Sequence, residues 1–149
     1  MTIPFEKRTW TWCAEEGIET FVYFMDGEGE LTVKIGGEEK VLKQGGYAYS
    51  PAGVGMDFAN RSKGTMRILF YKQRYTPIEE HAARTFWGNV NDIQERIYDN
   101  MANVFIQDLL PTNLSFDINF HILSFEPAGC HPFIETHVQE HSLDRKSVV

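Results

Sequence analysis

Short apolar runs separated by glycine-containing turns are the feature that most constrains the fold of this chain. Turn signals such as Asp26-Gly27 and Gly36-Gly37 stand between successive runs and predict hairpins at those points. Strands this short, with turns at this spacing, predict an all-β fold built as an antiparallel sandwich or barrel. The predicted strands lie at 19–25, 30–35, 38–43, 47–50, 56–60, 65–75, 103–110 and 114–125.

The pattern changes after Pro77. Within residues 91–101 the apolar side chains of Ile93, Ile97 and Met101 recur every four positions, which predicts a short helix capped by one of the asparagines at its start. Strand-like segments then resume, and in 114–125 apolar and polar residues alternate strictly, which predicts one long strand with a polar face.

Two β units joined by a linker follow from this division. The predicted boundaries are 1–75 for the first unit, 76–102 for the linker with its short helix, and 103–149 for the second unit. A chain of 149 residues with 42% hydrophobic residues has enough apolar side chains for a packed core.

Charge and cysteine content exclude several classes of function. The formal net charge of −7 disfavours binding to nucleic acid, because the chain and the phosphate backbone repel each other. The only cysteines, Cys13 and Cys130, are far apart, which favours a reducing compartment over a disulfide-bonded scaffold. No stretch approaches the roughly 20 apolar residues of a membrane span. We therefore expect a cytoplasmic protein that binds neither nucleic acid nor membrane.

The candidate metal ligands lie near the end of the chain. Glu135, His137 and His141 have the spacing E-x-H-x-x-x-H, which on a strand places the first two side chains on one face. One carboxylate and two imidazoles suit Mn, Fe, Ni or Zn, and three protein ligands leave positions open for catalysis. The alternative is that they are surface polar residues near a terminus. Two nearby residues, Cys130 and His131, are expected to be structural, with Cys130 buried.

Two glycine-led patterns resemble the motifs of cupins. Gly129, followed after five residues by Glu135-x-His137-x-x-x-His141, is similar to the first cupin motif with the outer histidine and the glutamate exchanged. The second motif is similar to a pattern in the first unit, but Met56 stands where its histidine belongs, and a thioether is a weak ligand for such metals. The residues of that second pattern are Gly45, Pro51, Ala52, Gly53, Met56 and Asn60.

A first motif in the first unit also lacks its usual ligands. Residues 20–27 resemble the end of such a motif, with Thr20 in the place of the glutamate. We therefore expect the first unit to be a cupin barrel that binds no metal. Its glycines and its proline would be kept because the turns require them.

The combination resembles the bicupin (S)-ureidoglycine aminohydrolases of allantoin catabolism over residues 15–141. The segments that carry the resemblance are EEGIETFVY, GGYAYSPAG, LFYKQRYTP, FDINFHILSFEPAG and IETHVQEH. The resemblance implies two β-barrels and hydrolytic release of ammonia from (S)-ureidoglycine, giving (S)-ureidoglycolate. It also implies Mn(II) in the second barrel, with Glu135, His137 and His141 as three of four ligands. Glu135 would in addition orient the substrate amine.

The end of the chain departs from that family. A glutamine from later strands would be the fourth ligand, but here the chain reads SLDRKSVV after His141. We therefore expect a bicupin truncated inside its second barrel, with open strand edges that favour homo-oligomers. Whether such a chain is an active enzyme stays open. The alternatives are an Fe(II) cupin dioxygenase and an inactive cupin that serves as a ligand-binding or oligomerisation module.

Overall fold

The computed structural model describes residues 2–3, 9–12 and 14–134. These ranges contain β-strands and a single turn of 3-10 helix, Val90–Asp92, and within them no helix is long and apolar enough to cross a membrane. The strands are β1 Thr2–Ile3, β2 Thr9–Trp12, β3 Ile18–Gly27, β4 Leu31–Ile35, β5 Glu38–Leu42, β6 Gly46–Ser50, β7 Met56–Asn60, β8 Met66–Arg74, β9 Phe86–Asn89, β10 Arg96–Ile97, β11 Val104–Asp108 and β12 His121–Phe125.

Two antiparallel sheets enclose the first core. One has five strands in the order β1-β8-β3-β6-β9, and the other has four in the order β2-β7-β4-β5. Apolar side chains that face each other across the two sheets form the inner cluster, which supports the predicted all-β fold. The buried members of the inner cluster are Val22, Phe24, Leu31, Val33, Ile35, Leu42, Ala48, Met56, Phe58, Met66 and Ile68.

The chain changes sheets after β3, so the predicted hairpin between 19–25 and 30–35 is wrong. Strand β3 pairs with β6 and β8, whereas β4 pairs with β5 and β7. Gly27 makes this corner at φ +125°, and a Cβ there would lie 2.6 Å from the carbonyl oxygen of Thr65. The hairpin predicted at Gly36-Gly37 is confirmed, because β4 and β5 pair directly across it.

The five-stranded sheet is buried on its outer face as well. In β3, Val22 and Phe24 point into the inner cluster, while Phe21 and Tyr23 point away from it and are also buried. Later parts of the chain cover this face and form the outer cluster with it. Its buried members are Phe21, Tyr23, Tyr47, Tyr49, Leu109 and Leu110, and its half-buried members include Phe86, Ile93, Phe116, Ile118, Phe120 and Ile122.

The predicted helix over 91–101 is wrong. One 3-10 turn, Val90–Asp92, is capped by Asn89, whose side chain accepts a hydrogen bond from the backbone of Asn91. The chain then forms β10, which pairs with β11. Because the side chain of Gln107 in β11 donates to the carbonyl oxygens of this turn, the segment is held to a sheet and does not continue as a helix.

The strand predicted over 114–125 is much shorter in the structure. Only β12, His121–Phe125, is a strand, and its ladder with β11 begins at the pair Asp108–His121. A strand cannot extend beyond its partner, and β11 ends at Asp108. The alternation in 114–120 has another cause: Phe116 and its apolar neighbours pack on the outer face of the five-stranded sheet.

Strand β9 connects the predicted linker to the first unit. Its residues fall within 76–102, and it pairs with β6 at the edge of the five-stranded sheet. Strands β10, β11 and β12 form a separate three-stranded sheet. The division at 75 and 102 stays a prediction, since the outer cluster joins the parts of the chain on both sides of it.

Removal of one ring from the outer cluster should destabilise the whole chain. Phe120 stacks on Phe21 with ring centroids 3.8 Å apart and an angle of 9° between the planes. We expect Phe120→Ala to lower the free energy of unfolding by about 2 kcal/mol, since a half-buried ring loses less than a fully buried one. Urea unfolding measures this. Phe125→Ala is the control, because that side chain is 49% exposed, and an equal loss in both variants would contradict the proposed packing.

Candidate functional site

Met56 and Thr20 stand where the cupin motifs have a histidine and a glutamate. Both side chains lie within the barrel of the first unit. The Met56 side chain is fully buried in the inner cluster, opposite Ile35 of β4. Thr20 is buried too, and no hydrogen-bond partner for its Oγ1 lies among the described residues. A thioether and a single hydroxyl are a poor set of donors for a divalent cation. In the parts of the chain that the structure describes, no three His, Cys, Asp or Glu side chains come together as a metal site.

The other residues of that motif build turns, as expected. Gly45 has φ +82°, and its N–H donates to the carbonyl oxygen of Phe24 at 2.9 Å. Pro51 accepts from the N–H of Val54 at 3.1 Å. Asn60 is buried, and its side chain spans the next loop by donating to the Gly64 carbonyl oxygen at 2.8 Å. The motif therefore fixes the connections of the barrel in this unit.

The predicted metal ligands follow a tight turn at the end of β12. The N–H of Glu126 donates to the Asn103 carbonyl oxygen at 3.0 Å, and the N–H of Gly129 donates to the Glu126 carbonyl oxygen at 2.7 Å. A Cβ on Gly129 would lie 2.6 Å from the Asn103 oxygen, so only glycine fits. This turn sets the path on which the chain leaves the three-stranded sheet.

Residues 135–149 lie outside the described residues. The metal ligands Glu135, His137 and His141, the catalytic role of Glu135 and the choice of Mn(II) therefore stay predictions.

Cys130 and His131 precede that motif, and the structure shows the surroundings of both. Cys130 is exposed, so the expectation of a buried thiol is wrong: the chain has already left the sheet at the turn before it. His131 makes contacts that fit the structural role expected for it. Its Nδ1 lies 2.9 Å from the carbonyl oxygen of Phe133, and its ring stacks on Tyr98 with centroids 5.9 Å apart.

A buried carboxyl group that the sequence analysis did not single out lies on the outer face of the five-stranded sheet. Glu19 of β3 is completely buried. The hydroxyl of Tyr49 in β6 donates to its Oε2 at 2.5 Å, and Nε2 of Gln73 in β8 donates to its Oε1 at 2.9 Å. The sequence did carry a signal, because Glu19 shares the period-two face of Phe21 and Tyr23.

A second carboxyl group reaches Glu19 from the later part of the chain. Asp117 forms a hydrogen bond with Glu19 and also accepts one from the backbone N–H of Thr76, at 2.6 Å. The pKa of Glu19 is raised to about 7, chiefly by burial and also by Asp117, while Tyr49 and Gln73 act in the opposite direction. Burial and the adjacent Glu19 also raise the pKa of Tyr49 far above its usual range.

The fold is similar to that of cupin proteins. Residues 12–71 match the family model of the cupin domain. The chain aligns with the crystal structure of the Escherichia coli protein Ylba with a TM-score of 0.72 and 39% identity, over 85% of this chain and 49% of that one. A putative glyoxylate-induced protein from Pseudomonas aeruginosa also aligns with a TM-score of 0.72, at 26% identity, over 83% of this chain and 47% of that one.

The curated proteins to which the chain is similar include two named as (S)-ureidoglycine aminohydrolases. The chain is 44% identical over 126 residues to the (S)-ureidoglycine aminohydrolase of E. coli, which covers 85% of this chain and 48% of the relative. It is 28% identical to a probable (S)-ureidoglycine aminohydrolase of rice, over 86% of this chain and 40% of the relative. The predicted resemblance to these aminohydrolases is therefore confirmed, and the chain spans about half the length of the curated relatives that it matches.

The turn at Gly129 makes a direct prediction. We expect Gly129→Ala to lower the free energy of unfolding by about 2 kcal/mol, because the new methyl group would overlap a backbone oxygen that cannot move freely. Gly64→Ala is the matched control, since a Cβ there meets its nearest atom at an ordinary 3.5 Å. Guanidinium unfolding of the two variants measures the difference. Equal stability would show that the chain does not turn here as described.

Glu19 should make stability depend on pH. Its pKa is raised from 4.5 to about 7 in the folded chain, so its contribution is complete below pH 4.5, falls as pH rises toward 7, and stays constant above that. The full loss is at most about 3 kcal/mol. Glu19→Gln should remove this fall, whereas Glu28→Gln, at an exposed carboxylate, should retain it. Urea unfolding at a series of pH values tests this, and parallel curves for all three proteins would contradict it.

Proposed function

We propose that the chain acts in the hydrolytic release of ammonia from (S)-ureidoglycine, with Mn(II) held by Glu135, His137 and His141. The observation that carries the proposal is the 44% identity to the E. coli aminohydrolase over 126 residues, which extends well beyond the 60-residue cupin match. The E-x-H-x-x-x-H spacing supports it independently, because its donor set fits a borderline divalent cation.

Each predicted ligand has a role that follows from its chemistry. The bound cation would polarise the substrate and hold it for attack by water. Glu135 would bind the cation and orient the substrate amine, while the imidazoles of His137 and His141 would stay neutral, each with a partner for its second ring nitrogen. We further propose that the protein works in the cytoplasm, in keeping with its two well-separated cysteines. We also propose that it is a homo-oligomer, in keeping with the open strand edges expected of a truncated barrel.

A second candidate function is a ligand-binding or oligomerisation module without catalysis. Large apolar side chains are exposed on the second part of the chain, where Ile97, Leu114 and Phe125 are each about half exposed or more. Exposed apolar side chains can serve as contacts between protein chains where they lie together. Nothing in the described residues favours the Fe(II) dioxygenase over the aminohydrolase, and a dependence of activity on O2 would distinguish the two.

The test combines metal content with turnover. The 149-residue chain is loaded with Mn(II) and desalted, and the ratio of metal to protein is measured by mass spectrometry. Ammonia release from (S)-ureidoglycine is measured on the same samples. Glu135→Ala removes a predicted ligand, and Glu126→Gln is the control, because that exposed side chain lies in the turn before the motif.

We expect a metal ratio near one and ammonia release in the wild type and in Glu126→Gln, with both lost in Glu135→Ala. Bound metal without ammonia release would favour the binding module. An unchanged metal ratio in Glu135→Ala would contradict the proposed ligand set. Metal retained by none of the three proteins would show that this chain alone does not form the site.

A further inference from the structure

The segment 111–120 is attached to the five-stranded sheet at several points. Phe116 packs edge-on against Tyr49 with ring centroids 5.1 Å apart, and Phe120 stacks on Phe21. The hydroxyl of Tyr75 donates to the Ser115 carbonyl oxygen at 3.1 Å. In the middle of the segment, Asp117 also forms a hydrogen bond with Glu19.

Two carboxyl groups in direct contact cannot both be charged without a cost. The cost is high here because Glu19 has no contact with solvent. The pair is therefore stable when one proton lies between its members. Asp117 is exposed and also accepts a hydrogen bond from the N–H of Thr76. Glu19 suits the protonated member, because it is buried.

Among the described residues, no positively charged side chain is placed to compensate the pair. Lys72 and Arg74 flank Gln73, the residue of β8 that pairs with Glu19. They pair in register with Thr20 and Ile18, so their side chains lie on the opposite face of the sheet from Glu19. Lys72 instead pairs with Glu15 at 3.6 Å. In the described part of the chain, the titratable groups that face the pair from β6, from β8 and from the residues after β8 are the tyrosines Tyr49, Tyr71 and Tyr75.

We propose that a proton shared by Glu19 and Asp117 fastens the segment 111–120 to the outer face of the five-stranded sheet, and that its loss at alkaline pH loosens this segment. The stacked rings remain in place when the proton leaves, so the change is local. The segment leads directly into β12 and the turn at Gly129. Its attachment therefore controls how firmly the start of the second unit is held against the first. This proposal does not depend on the proposed enzymatic activity.

Hydrogen–deuterium exchange of the intact chain tests the attachment. The N–H of Leu109 donates to the Phe120 carbonyl oxygen and the N–H of Phe116 to that of Asn113, so peptides covering 109–120 report on it. After correction for intrinsic exchange, we expect protection in these peptides to fall at least about tenfold between pH 6 and pH 8.5, which corresponds to one pKa unit of coupling. Protection in β4 and β7 should not change over that range.

Three variants separate the shared proton from general alkaline weakening. Glu19→Gln keeps a donor for Asp117 at every pH, so protection should no longer depend on pH. Asp117→Asn removes the second charge, so the fall should become smaller. Glu28→Gln, at an exposed carboxylate, should behave as the wild type. The same pH dependence in Glu19→Gln as in the wild type would overturn the proposal.

A direct titration keeps the proposal testable if the variants fold poorly. Carbon-13 spectra of wild-type protein labelled at glutamate follow each carboxyl group through its own titration. One glutamate should titrate near pH 7, and its signal should be absent in Glu19→Gln. If every glutamate titrates below pH 5.5, Glu19 holds no proton at neutral pH and the proposal is wrong.

Discussion

Burial of the five-stranded sheet on both faces is the constraint on which the rest of the structure depends. A sheet with one solvated face alternates apolar and polar residues, but β3 carries Phe21, Val22, Tyr23 and Phe24 in succession. Even residues of this run fill the inner cluster and odd residues fill the outer one. Among the described residues, the later part of the chain covers this apolar face of the first unit, so the two parts depend on each other for its burial.

The same packing explains where the buried polar groups lie. A carboxyl group in a two-sided apolar sheet is unfavourable unless each of its oxygens has a partner. Glu19 meets this condition with one partner from each neighbouring strand of the sheet, Tyr49 and Gln73, and one from the covering segment, Asp117. The segment that covers the sheet therefore also brings in Asp117, which helps to raise the pKa of Glu19. A pKa of about 7 results from placing an acid where the sheet has no contact with water.

The sequence predicted those elements whose signals are local. Strands β4 and β7 fall within a residue of their predicted bounds, because alternation and turn glycines are properties of the segment itself. The errors occur where a distant partner decides. The four-residue spacing in 91–101 is compatible with a helix, but the backbone at Arg96–Ile97 pairs with β11 instead. Likewise 114–120 alternates like a strand, but the ladder with β11 ends at the pair Asp108–His121. Gly27 gives the turn signal of a hairpin, but it forms a corner between the two sheets.

In the candidate site, too, features with a local spacing were predictable from the sequence, whereas a contact between distant residues was not. The cupin motifs were recognisable because each ties a glycine or proline to a turn at a fixed distance, and Gly45 and Gly129 are held where a side chain would not fit. The contact of Glu19 with Asp117 joins residues 98 positions apart, and no local spacing encodes it. Yet its physical basis was present in the sequence, since an acid among aromatic residues on one face of a strand requires a partner from elsewhere. When both faces of a sheet are buried, as here, the hydrogen-bond partner of a buried acid on one face comes in part from the segment that covers that face, as Asp117 does for Glu19.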